Sequence, residues 1–266
     1  MKRIISLGAG VQSSAMLLMA MDGRFGDIPE AAVFSDPGWE TKATYEWLDR
    51  LEQVSTIPII RIKAKQQIKD EAVHGGPRVR RDGERFVTMP LYLLGQDGSK
   101  GMGRRQCTKE YKLTPLLKYW RSLGATRKAP VECWIGISTD EAMRMKPSQV
   151  QYANNRYPLI ELGLSRRDCQ DYLIQRVGSR APKSSCIGCP FHGDDFWAEL
   201  RSNSPEEFEE ACLFDDAIRN GPKMRGQQFL HRSMVPLRQI KEFKHENQGR
   251  MFEDAFGNEC EGMCGL

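Results

Sequence analysis

Apolar runs of strand length alternate along the first half of the chain with longer stretches whose apolar residues recur at helical spacing. "RIISLGAG" is a short apolar run ending in glycines, and "QSSAMLLMAMDG" continues it with a helical pattern. "EAAVFSDPG" repeats the buried strand and its closing turn, "TKATYEWLDRLEQV" the amphipathic helix, and "IPIIRIKA" supplies a third strand. "LTPLLKYWRSLG" predicts another helix and "APVECWIGIS" another strand. Strands alternating with helices imply right-handed crossovers and a parallel sheet. The pattern predicts an α/β, doubly wound domain over residues 1–165.

Beyond it the pattern changes to a helix-and-loop region, residues 166–266. "SRRDCQDYLIQRVG" reads as a helix, "SRAPKSSCIGCPFHG" as a turn-rich loop, and "SPEEFEEACLFDDAIRNG" as a helix that starts at Ser204-Pro205-Glu206. From "KMRGQQFLHRS" onward the expectation is helix and loop with little sheet. Residues 66–106, with Gly-Gly-Pro and Asp-Gly pairs, predict a long functional loop or a lid. Neither an internal repeat nor a low-complexity segment interrupts the chain.

Composition narrows the setting. The 266 residues are 40% hydrophobic and 28% charged, as in globular proteins. No run nears the roughly 20 apolar residues of a membrane span. The start "MKRIISLGAG" is too short in apolar residues for a signal peptide. A cytoplasmic protein without membrane contact is expected, so its eight cysteines are metal ligands, catalytic thiols or packing residues before they are disulfides. The net charge of +4 is mild, but "RIKAKQQIK", "RVRRDGER" and "GMGRRQCTKEYK" bunch the cations between positions 61 and 112. Such a cluster is either a solvated basic surface or a site for a polyanion, a nucleotide or a nucleic-acid backbone.

"SLGAGVQSSA" places anion-binding groups where a strand meets a helix. Gly8 and Gly10 let backbone N–H groups approach a ligand, the helix N-terminus adds unpaired donors, and Ser13 and Ser14 add hydroxyls. Neither a Walker loop nor a full GxGxxG is present, and a plain strand–helix turn has the same look. Asp36 in "FSDPGWE" ends the second strand, at the edge where doubly wound sheets bind ligands. It can accept from a ribose hydroxyl there, or simply form an Asp36-Pro37-Gly38 turn.

Cys186 and Cys189 form a Cys-x-x-Cys in "SSCIGCP", a spacing that signals metal or redox chemistry but cannot complete a tetrahedral site alone. Cys107 lies in a basic polar segment that favours thiolate. Cys133, Cys169 and Cys212 fall on apolar-patterned positions and read as packing residues. Cys260 and Cys264 sit in the last seven residues, within "ECEGMCGL", where an untethered thiol has no physical reason to be. Three or four thiolates suit zinc or an iron–sulfur cluster, and the scarcity of histidine leans toward iron–sulfur.

"SLGAGVQSSA", "FSDPGWE", "CTKEYKLTPL", "IGISTDEAMRM", "YPLIEL", "SSCIGCPFH" and "ECEGMCGL" stand in the order found in the phosphoadenylylsulfate (PAPS) reductase family of the PP-loop superfamily, which the chain resembles along nearly its whole length. The resemblance implies an adenine nucleotide at the glycine turn, held by Ser6, Gly8, Gly10, Gln12, Ser13, Ser14 and Asp36. It implies substrate contacts at Arg105, Lys112, Asp140 and Glu141, with Arg144 on the substrate's anionic group. Adenylylsulfate (APS) reductases of the family carry a [4Fe–4S] cluster and a tail cysteine nucleophile. Relatives that thiolate DNA or tRNA cleave ATP, with Mg, to AMP and pyrophosphate.

The chain departs from both branches. Gln106-Cys107 replaces the reductases' Cys-Cys pair, and the tail holds two cysteines and stops at Leu266 without the family's histidine. Gln12 replaces the PP-loop aspartate, as in the reductases, whereas Ser13 and Ser14 are those of the ATP-cleaving branch. The expected metal set is Cys107, Cys186, Cys189 and Cys260, with Cys264 the nucleophile on a tail folded back over the nucleotide. The two tail cysteines can exchange roles, or one iron can stay open to sulfur. His231 and Arg232 read as an ordinary solvated pair.

The expected function is reduction of an adenylylated sulfate, with a thiol, sulfur or electron-donor protein as partner. ATP-driven sulfur transfer to DNA or tRNA is the alternative. A zinc-stabilised nucleic-acid-binding module without catalysis is the alternative of another class, and a homo-oligomer is compatible with each.

Overall fold

A computed structural model describes residues 1–64, 67–74, 89–220 and 226–244. The chain divides into two compact units, each built among the described residues from two separate stretches of sequence. Met1–Ala64 and Thr108–Ser185 build the first, and the second draws on Lys65–Cys107 and Cys186–Asn258 as far as these are described.

The first unit is the doubly wound sheet that the alternating pattern predicts. Strand β1 (Arg3–Leu7) leads into helix α1 (Val11–Met21), β2 (Ala31–Asp36) into α2 (Lys42–Val54), and β3 (Ile59–Lys63) completes the first half. A π-helical turn, Thr108–Leu113, opens α4 (Thr114–Ser122), followed by β6 (Val131–Ile135) and a 3-10 turn, Thr139–Arg144. Then come β7 (Ala153–Arg156), α5 (Pro158–Glu161) and α6 (Arg166–Val177). The strand order is β3-β2-β1-β6-β7 and every pairing is parallel.

Register sorts the apolar residues onto two faces. Ala32, Ile5 and Trp134 lie side by side across three strands and pack under α1, α2 and α6. One residue back, Ala31, Ile4 and Cys133 form the opposite row, which packs with Leu116 and Trp120 of α4. Strands buried on both faces read as continuous apolar runs, which is why "RIISL" and "AAVF" do not alternate. Helix α1 is buried on all sides except at Met21, since α6 covers the face turned away from the sheet. Ser165 and Asp168 close a capping box at the start of α6, and Gly178, at φ 70°, ends it in the left-handed conformation.

The second unit contains α3 (Ile68–His74), β4 (Tyr92–Leu94), β5 (Lys100–Met102), α7 (Asp194–Asn203), α8 (Pro205–Ile218) and β8 (Gln227–Phe229). Its sheet is antiparallel, in the order β5-β4-β8. The stretch expected as loop over 66–106 thus holds a helix and two strands among its described residues. Asp215, fully buried on α8, accepts from the N–H of Leu230 (2.8 Å) and Leu237 (2.9 Å) and from Arg219, and so fastens the segment after β8. Among the described residues no helix is long and apolar enough to cross a membrane.

Candidate anion site at the strand switch point

From β1 the chain runs outward through β2 and β3, then returns to the other side of β1 as β6 and β7. The reversal lies between β1 and β6, and crevices at the carboxyl ends of strands at such a point bind ligands. The glycine turn stands there. Ala9, between Gly8 and Gly10, has φ 58°. A residue with a Cβ in that region costs about 1–2 kcal/mol, and such strain gathers at ligand sites.

Gly10 is the N-cap of α1 and contributes no side-chain cap, and no acidic residue sits in the first turn. Ser14 N–H makes the first intrahelical bond, to Gly10 C=O at 3.1 Å. The N–H groups of Val11, Gln12 and Ser13 thus precede any intrahelical acceptor, and together with the helix dipole they form an anion-binding end. The chain just past β6 presses close: a Cβ on Gly136 would stand 2.8 Å from Ser13 N and 2.9 Å from its Cα. Only glycine fits there.

The side chains of this turn are largely committed inside the protein. Ser13 Oγ accepts from Gly8 N–H (3.2 Å) and reaches Gly10 C=O (3.5 Å). Ser14 Oγ accepts from Trp47 Nε1 (2.9 Å) and is fully buried. Ser6 lies buried within β1. Gln12 is also fully buried: its Oε1 accepts from Arg166 Nη1 (2.8 Å), and its Nε2 donates to Glu141 Oε2 (3.2 Å) and Ser138 Oγ (3.5 Å). Glu141 Oε1 is paired with Arg144. Asp140 Oδ2 accepts from Arg166 N–H (2.5 Å) and Ser138 Oγ (3.4 Å). The 3-10 turn after β6 and the start of α6 are therefore tied to the start of α1.

Asp36 stands on the same sheet edge, at the end of β2. It is buried, and its Oδ1 accepts from Gly38 N–H (2.7 Å) and the Tyr45 hydroxyl (2.8 Å), so the Asp36-Pro37-Gly38 turn forms. Burial, and then the bond to Asp36, push the Tyr45 phenol up, which keeps it a donor. Lys112, in the π-helical turn, is buried with its ammonium 3.0 Å from Glu40 Oε1. No hydrogen bond of good geometry reaches either Glu40 oxygen among the described residues, so charge holds this pair. Single π turns often mark functional sites.

Of the residues singled out in the sequence, Gly8, Gly10, Gln12, Ser13, Ser14, Asp140, Glu141 and Arg144 come together at the switch point. Arg105, Cys107, Cys186 and Cys189 belong to the second unit. Arg105 stacks over Phe191, 5.4 Å from the ring centroid. Cys186 and Cys189 close a tight turn, Cys189 N–H to Cys186 C=O at 3.1 Å, and His192 Nε2–H donates to the same carbonyl (2.8 Å). Both thiols and that of Cys107 are half-buried, whereas Cys133, Cys169 and Cys212 are core residues, as their patterns predict. Among the described residues no three Cys, His, Asp or Glu are arranged to hold one metal ion. Cys260 and Cys264 lie outside the described residues. The described donors alone do not fit a [4Fe–4S] cluster or a zinc ion.

His231 is not solvated. It is 4% exposed, its Nδ1 accepts from Ser233 N–H (3.1 Å), and its Nε2 faces Asp194 Oδ1 (3.3 Å). Burial, opposed by Asp194, holds its pKa below the usual histidine range.

Sequence reasoning passed over Gly136, Ser138 and Arg166. Gly136 carried a signal, a glycine at the end of an apolar strand, which marks close approach of another backbone. Arg166 carried none, because its role depends on how α6 docks.

No protein-family model matches the chain, and no curated protein matches it. Among solved structures it is similar to phosphoadenylyl-sulfate (PAPS) reductase from Candida auris, crystallised as a phosphate complex. The identity is 12% and the TM-score 0.42, over 68% of this chain and 73% of the other.

Proposed function

We propose that the first unit binds the phosphate chain of an adenine nucleotide at the switch point, and that the protein reduces an adenylylated sulfate such as PAPS or APS. The observation that carries the nucleotide reading is the end of α1: donors without intrahelical acceptors, an N-cap with no side chain, and no first-turn acid. We assign Asp36 to a ribose hydroxyl and Arg144 to the ligand's far anionic group. The sulfur chemistry rests on the order of motifs along the chain, and its electrons come from a thiol or other donor protein.

Calorimetric titration with AMP, ATP and PAPS tests the site. The wild-type protein binds, and Gly10→Val, which adds a branched side chain at the N-cap, abolishes binding while the fold persists. Unchanged affinity in the variant removes the site. Product analysis separates the reactions: sulfite from PAPS or APS supports reduction, whereas AMP and pyrophosphate from ATP make the protein a sulfurtransferase. The iron–sulfur part of the reading is carried by Cys107, Cys186, Cys189 and Cys260 in sequence. Anaerobic purification with an iron assay of alanine variants tests it, and full iron in the Cys107, Cys186 and Cys189 variants refutes it.

A further inference from the structure

We infer that Gln12 is a positioning residue for the anion site, and that through it Arg166 and the Glu141–Arg144 couple are held around the N-terminus of α1. This rests on the nucleotide reading above and assigns the network that shapes the same site.

The geometry gives Gln12 no room to serve as a ligand. Its side chain lies at the second helical position of α1, is fully inaccessible, and has both amide atoms engaged. The oxygen accepts a hydrogen bond from Arg166 on α6, and the nitrogen donates one to Glu141 on the turn after β6. An amide does both without carrying charge. A carboxylate of the same shape would keep Arg166 but place two anions against each other at Glu141. An apolar side chain would release both.

A second link runs in parallel, from Arg166 N–H through Asp140 to Ser138 and back to Gln12. Arg166 and Arg144 bring positive charge to this network and Asp140 and Glu141 negative charge, and Gln12 is its neutral joint. Helix α2 also reaches the start of α1, through the uncharged Trp47 indole on Ser14. The charged groups linked to Gln12 through this network are Glu141, Asp140, Arg144 and Arg166.

The test is calorimetric titration of AMP and PAPS into wild-type protein and variants between pH 5 and pH 8. Gln12→Glu is expected to weaken binding about tenfold at pH 8, from repulsion of Glu141 and of the ligand. Affinity should recover toward pH 5, because a proton shared with Glu141 quenches the added charge. Gln12→Leu should lose affinity at every pH, with no pH dependence beyond that of the wild type. Arg166→Gln should lose as much, and the double variant no more than either single one, because one link is broken in each. Circular dichroism melts identify any variant that fails to fold, and the Arg166→Gln arm then decides alone. Wild-type affinity in Gln12→Glu across the range, or full additivity of the Arg166 and Gln12 changes, overturns the inference. Absence of binding by the wild type overturns the nucleotide reading instead.

Discussion

Single positions decide how closely backbone can pack at the switch point. Gly136 is the clearest, with Ser13 N only 2.8 Å from where its Cβ would stand. Neither neighbour is the flexible end of a side chain, so Gly136→Ala must move a strand end or a helix start. The expected cost is about 1–3 kcal/mol, the range for an added methyl in a packed site. Thermal melts should show that loss, and nucleotide titration a larger one, because the moved atoms belong to the donor-bearing turn. A variant that melts and binds like the wild type would show that the turn tolerates displacement. Ser13 and Ser14 teach the opposite lesson. Their hydroxyls suit a phosphate on paper, yet both oxygens accept from inside the protein, from Gly8 and Trp47. Residue type announced polar chemistry; the partner was invisible before α2 docked.

At the scale of elements, legibility followed burial. β1, β2, β3 and β6 were plain because both faces are covered and the apolar runs are unbroken. β7, with the sequence Ala153-Asn154-Asn155-Arg156, is a polar edge strand and carries no such signal. The three-residue strands of the second unit are too short for any period to register. Helix α7 could have been found from Asp194 and Asp195 in its first turn, with Trp197 and Leu200 behind them at helical spacing. Asp194 then does more than begin the helix. It accepts from Arg232 (2.9 Å) and Lys244 N–H (2.9 Å) and faces His231, fixing the chain after β8.

That arrangement makes the second unit sensitive to acid. His231 is depressed in the folded state chiefly by burial, against about 6.5 when unfolded. A base so depressed contributes fully above the unfolded value, and the contribution fades as pH falls through and below it. The melting temperature should therefore drop between pH 7.5 and pH 5. His231→Gln, which keeps a polar side chain there but cannot titrate, should flatten the decline. An equal decline in the variant would place the acid sensitivity elsewhere.

The whole molecule is assembled from interrupted pieces. Among the described residues, its first unit is begun by residues 1–64 and continued by residues 108–185, with part of the second unit encoded between them. The order β3-β2-β1-β6-β7 makes β1 the middle of the sheet, although it precedes the sheet's other four strands in sequence. Its second neighbour, β6, begins about 120 residues after β1 ends. During synthesis at about 5–20 residues per second, one edge of this central strand therefore waits roughly 6–24 s for its partner. Nascent chains arrested before Val131 emerges should be cut by protease within residues 1–64, and chains arrested well past Arg156 should resist. Resistance in the shorter chains would mean that three strands suffice. Otherwise the newborn protein carries an open, adhesive edge at its own centre, and its yield in the cell is set by what shields that edge until the sheet closes.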